Sequence, residues 1–140
     1  GKDCTVWFNA VVRGDVNAII MGNRVNIQDG AIIHCTYQKT ATTIGNNVSI
    51  AHNAIVHGCT IEDEVLIGMG AIVMDGAVIG KNSIIGAGAI VTQNTIVPPG
   101  TIWAGNPAKY IKDVTKDLGE VFMRTANNYV MYAEWFKDPV

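Results

Sequence analysis

Residues 61–96 read IEDEVL, IGMGAI, VMDGAV, IGKNSI, IGAGAI, VTQNTI, six consecutive hexapeptides that each open on Ile or Val. The pattern runs on in both directions. Earlier leads fall at Ile44, Ile50 and Val56, with one residue missing before Ile61, and the next lead is Val97. Farther upstream, Met21, Ile27 and Ile33 keep the register in MGNRVN, IQDGAI and IHCT. An α-helix turns through about 600° in six residues, so it cannot hold every sixth side chain on one face. Short strands joined by bends can. β-branched leads suit strands, and the Gly and Asn between them suit bends. The period therefore predicts a mainly β fold, a parallel β-helix with one hexapeptide on each side of a coil.

The rest of the composition narrows the classes of function. Ten Lys and Arg against twelve Asp and Glu give a net charge of −2, and the basic residues are scattered. Without a basic stripe, nucleic acid is excluded as an expected partner. No apolar run approaches the ~20 residues of a membrane span, and no signal-peptide pattern is present. Cys4, Cys35 and Cys59 are odd in number and lack CxxC spacing. Free thiols in a reducing cytoplasm are the expectation.

The hexads resemble those of the hexapeptide-repeat family over residues 6–108. That resemblance implies a left-handed coil and a homotrimer. The opening GKDCTVWFNAVV begins in mid-pattern, and relatives of this kind carry one or two coils before that point. The expected division is a β-helix over residues 1–108 and a helical segment over 109–140, packed on the β-helix or on a neighbouring subunit. Val114, Leu118, Val121, Phe122, Val130 and Trp135 are spaced to share a helix face. Asp117 with Glu120 resembles a capping box, and Asp138-Pro139 a stop.

All three histidines fall between residues 34 and 57. His34 and His57 each follow a lead residue, so successive coils should stack them about 4.8 Å apart. Two imidazoles so placed can converge on one metal ion at about 2.0–2.1 Å. His52 sits in the third slot of the preceding hexapeptide, up to ~16 Å of extended chain from His57. The expected site is therefore shared, with His34 and His57 from one subunit and His52 from the next. Cys35 and Cys59 stand near in sequence as alternative soft ligands, or as small buried residues.

The phrases VWFNAVVRGDV, NIQDGAIIH and AHNAIVHGCTI, in that order, resemble the γ-class carbonic anhydrases and their bacterial homologues. The resemblance implies His34, His52 and His57 as ligands of a catalytic metal between subunits. It matches Gln28, with Asn26 beside it, to a polar group that orients metal-bound water, and Tyr129 to a tyrosine approaching from the C-terminal helix. It matches Arg13, Asp15 and Asp29 to an interfacial charge cluster. The implied reaction is reversible CO2 hydration, with zinc as cofactor and iron or cobalt as alternatives. Three neutral imidazoles that leave a coordination position open suit such chemistry. The family's proton-relaying glutamates have no counterpart here: Val16 holds one position, and the loop CTYQKTATT contains no carboxylate. Three other readings stand beside this one. WAGNPAKYIK, with Lys109 and Lys112, resembles the segment that ends acyltransferase β-helices; the same metal site suits a thioester hydrolase; and a metal can merely clamp a non-catalytic trimer.

Overall fold

A computed structural model describes residues 1–137. Its first coil comprises β1 (Thr5–Val6), β2 (Val11–Val12) and β3 (Ile19–Met21). The second comprises β4 (Asn26–Ile27), β5 (Ile32–His34) and β6 (Thr42–Ile44), and the third β7 (Ser49–Ile50), β8 (Ile55–His57) and β9 (Thr60–Ile61). Then come β10 (Leu66–Ile67), β11 (Ile72–Val73) and β12 (Val78–Ile79), followed by β13 (Ile84–Ile85), β14 (Ile90–Val91) and β15 (Ile96–Val97). A sixth turn starts with β16 (Thr101–Ala104). Every third strand stacks in parallel, which gives three sheets: β1-β4-β7-β10-β13-β16, β2-β5-β8-β11-β14 and β3-β6-β9-β12-β15. The expected parallel β-helix is the fold.

The hexad leads make its core. Every lead from Ile44 to Val97 is at most 1% exposed, as are Ile27 and Ile33. A second inward position lies five along each hexad. It takes small or β-branched residues, among them Ala31, Val48, Ala54, Val65, Ala71 and Ala89, all fully buried. The fourth slot turns the corner in the left-handed region, with φ from +52° to +73°, and Gly or Asn fills it in most coils. Gly and Asn are the residues that tolerate that conformation.

The repeat departs from six residues at one corner, where the second sheet gives way to the third. From Val12 to Met21 the step is nine, from Ile33 to Ile44 eleven, and from Val56 to Ile61 five. Later coils step by six there. The candidate site stands at this irregular corner.

Past the coils, β17 (Lys109–Asp113) pairs antiparallel with β16, and α1 spans Lys116–Glu134. Sequence spacing missed β17. It also misplaced the cap: Thr115, not Asp117, is the N-cap, and its hydroxyl accepts from the Leu118 N–H at 3.4 Å. A threonine oxygen just before the first helical residue satisfies a free N–H, a task for which Asp117 lies too far inside. The buried face carries Phe122 and Ala126, while Trp135 is 68% exposed and Val114 precedes the helix. The helix packs on β1 and β7 of its own β-helix, where Trp7 meets Tyr129 edge-on at 5.3 Å. The stop expected at Asp138-Pro139 lies outside the described residues. Among the described residues no helix is long and apolar enough to cross a membrane.

Candidate metal centre

His34 closes β5 and His57 closes β8, and the two are register partners across that parallel pair. Their rings meet edge-on with centroids 5.0 Å apart, and His34 Nδ1 lies 3.0 Å from His57 Nε2. A carboxylate stands behind each ring. His34 Nε2 is 3.1 Å from Asp15 Oδ1, and His57 Nδ1 is 2.5 Å from Asp75 Oδ1. An ionised carboxylate only accepts, so the ring nitrogen facing it must carry the proton. The other two nitrogens, His34 Nδ1 and His57 Nε2, are then left facing each other. Two lone pairs so close repel unless a cation lies between them, either a proton or a metal ion. Two nitrogens bound to one tetrahedral ion stand about 3.3 Å apart, close to the spacing found here. The donor set fits a metal such as zinc.

Both carboxylates are held ionised. Arg13 Nη1 reaches Asp15 Oδ2 at 2.5 Å, and its other amine lies 3.5 Å from His34 Nδ1. The Arg13 hydrogen bond holds the Asp15 carboxyl below the usual range, against a smaller opposing push from burial. Burial alone would raise Asp75, but hydrogen bonds from Thr36, Thr40 and His57 outweigh it and bring its pKa to about 2. The Thr36 and Thr40 hydroxyls donate to Asp75 Oδ2, the latter at 2.7 Å.

His52 belongs to a second group. It lies in the turn between β7 and β8, with Nδ1 3.2 Å from Asp29 Oδ2 and the ring 43% exposed. Beside it, Gln28 and Met69 line an open groove of about 370 Å³. The groove's polar wall is fixed from beneath. Gln28 Nε2 donates to Asn26 Oδ1 at 2.9 Å, and Asn26 Nδ2 donates to Ser49 Oγ at 2.8 Å. Tyr129 stands on α1, edge-on to Trp7 and near enough to feel the charge on Asp29. Its phenol is pushed above the ordinary range by burial first, then by the charge on Asp29 and by Tyr132.

One chain therefore brings Arg13, Asp15, His34 and His57 together and keeps Asn26, Gln28, Asp29, His52 and Tyr129 apart from them. Among the described residues no three His, Cys, Asp or Glu side chains converge as a metal site within the chain. Cys35 and Cys59 are buried and take no part. The Cys35 thiol donates to the Asn17 carbonyl, and burial pushes the Cys59 thiol up to about 12. Sequence reasoning missed Asp75, Thr36 and Thr40. The available sign was Asp75 itself, a carboxylate at a corner one coil beyond His57.

The model "Bacterial transferase hexapeptide (six repeats)" matches residues 58–93, and "Hexapeptide repeat of succinyl-transferase" matches 41–74. "Gamma carbonic anhydrase 3, mitochondrial" of Arabidopsis thaliana is 50% identical over 139 residues, which cover 96% of this chain and 54% of that protein. "Carbonic anhydrase" of Geobacillus kaustophilus is 42% identical over 137 residues, covering 98% of this chain and 75% of that one. A solved hexapeptide transferase family protein from Anaplasma phagocytophilum superposes with a TM-score of 0.90 at 36% identity, over 96% of this chain and 78% of that one. The chain spans about half the length of the plant relatives it matches. With the repeat, the histidine-bearing corner and these relatives together, the chain belongs to the hexapeptide-repeat family, in its γ-carbonic-anhydrase-like branch.

Proposed function

We propose that the chain is a metal-dependent enzyme of reversible CO2 hydration, working at sites completed between neighbouring copies of a trimer. One observation carries the reading. Each of the three histidines is paired with its own carboxylate, Asp15, Asp75 or Asp29. Metal-binding histidines characteristically donate their second nitrogen to such a partner. His34 and His57 would hold the ion from one copy and His52 from the adjacent one. Zinc is the expected metal, and the same imidazoles accept iron or cobalt.

A bound divalent ion supplies Lewis acidity and lowers the pKa of a water to near 7. The remaining roles belong to the chain's own groups. One Gln28 amide N–H is committed to Asn26, an anchor that leaves Oε1 available to accept from a water or from the bicarbonate hydroxyl. Tyr129, with its phenol raised, stays protonated on α1 and is the proposed donor to a substrate oxygen. Leu66, Met69 and Ile84 give the groove an apolar wall, suited to an uncharged gas.

The test is metal content and oligomeric mass on anaerobically purified protein, followed by stopped-flow CO2 hydration. One metal per chain in a trimer that hydrates CO2 is the expected result. His52→Ala should lose the metal while keeping its β circular dichroism, and tight retention would contradict the shared site. Mixing His52→Ala chains with His34→Ala/His57→Ala chains should restore metal in the hybrids alone. A metal-free trimer that binds coenzyme A would favour acyl transfer, a reading supported by the transferase family matches and by exposed Lys109 and Lys112 on β17.

A further inference from the structure

We infer that Asp75 is a positioning residue for the metal centre, fixing His57 as the Nδ1–H tautomer so that its Nε2 lone pair is presented toward His34. The inference rests on the metal reading above and adds a residue to it. In water a neutral imidazole prefers to carry its proton on Nε2, which would leave no lone pair there. His57 is held the other way round. Its Nδ1 lies 2.5 Å from Asp75 Oδ1, and a carboxylate offers no hydrogen in return.

Asp75 cannot turn away from this task. Its second oxygen accepts from both Thr36 and Thr40, which lie in the eleven-residue step between Ile33 and Ile44. The two threonines are bridged to each other across that loop. The side chain of Asp75 is one-fifth exposed, so little water competes for it. A coil below the histidine pair and a loop above it therefore meet on a single carboxylate, and that carboxylate sets the orientation of one ring.

The arrangement predicts an unusual effect of an isosteric change. In Asp75→Asn, the Thr36 and Thr40 hydroxyls still need an acceptor and keep the amide oxygen on their side. The amide NH2 then faces His57 Nδ1 and reverses the tautomer, placing the proton on Nε2. The loop clip survives, so a purely structural role for Asp75 would leave both His57 and metal binding unmoved.

The experiment uses the metal-free assembled protein with 15N-labelled histidine above about pH 8, where imidazoles are neutral. Long-range 1H–15N correlation reports which nitrogen of His57 carries the proton. Chelator competition with Zn²⁺ and Co²⁺ reports affinity, and thermal melting reports folding. Expected are Nδ1–H in the wild type, Nε2–H in D75N, and a metal affinity about 10- to 100-fold lower in D75N. A wild-type His57 protonated on Nε2 overturns the inference, and that measurement needs no variant to fold. So does a D75N affinity within twofold of wild type. If the wild type takes up neither ion although the tautomer reverses in D75N, the metal reading fails while the hold of Asp75 on the ring stands.

Discussion

At the scale of single residues, the groove depends on a buried relay of uncharged groups. Ser49, Asn26 and Gln28 are each at most 5% exposed and hydrogen-bonded in series. A buried amide left without its partner costs about 1–3 kcal/mol. Ser49→Ala should therefore lower unfolding stability by about that much in a denaturant titration. It should also loosen Gln28 without touching the histidines, so metal content should be unchanged. A stability indistinguishable from wild type would mean that Asn26 finds another acceptor. The stacked pair His34 and His57 was legible in the sequence because each follows a lead residue by one. Asp75 was not, because its partner lies in the preceding coil and the hexad alone does not say which corner groups touch. The same limit hid Thr36 and Thr40, which sit where the repeat is interrupted.

At the scale of elements, the corner after β8 is a tightly packed piece of backbone beside the histidine pair. Gly58 has a φ of +56°, and a Cβ there would lie 2.3 Å from Thr40 Oγ1 and 2.9 Å from Asp75 Oδ2. Its N–H is also turned toward the His34 carbonyl at 3.1 Å. Gly58→Ala combines a left-handed conformation, of order 1–3 kcal/mol for a residue with a Cβ, with a clash against the clip on Asp75. The expected result is a lower melting temperature together with weaker Zn²⁺ binding, read by melting with and without the ion. Unchanged Zn²⁺ affinity would show that the clip can shift without moving His57. Strands with one inward lead every six residues were readable from the pattern. β17 was not, because KYIKD is exposed at every position and shows no buried face to detect. The start of α1 was mistaken because two acidic residues suggested a box, whereas a single hydroxyl one position outside the helix does the capping.

At the scale of the whole molecule, the two groups of candidate residues lie on separate parts of one chain, and the proposed assembly is what would join them. Arg13 is the link to watch. It is half exposed in the single chain and pairs with Asp15 behind His34. Arg13→Ala should weaken the trimer, with dissociation appearing in sedimentation velocity as protein is diluted. An unchanged profile at low concentration would remove Arg13 from the interface and leave it only the orientation of Asp15. An ion-pair network of this kind is better suited to setting the register of subunits than to adding stability.

The three irregular steps at one corner carry a consequence for how such a protein can change. Each coil must come back to the same lead slot whatever path it takes outside, so a longer excursion leaves the pairing of its neighbours alone. Strand pairing in a solenoid runs only between adjacent turns, and doubling a flexible loop costs only about 0.6 kcal/mol in closure entropy. The loop tip 37–39 can therefore be rewritten in length and charge while the column of Ile and Val beneath it keeps its packing and Thr36 and Thr40 keep their hold on Asp75. New substrates or new proton routes are open to this scaffold by loop grafting, with the histidine pair serving as the fixed floor.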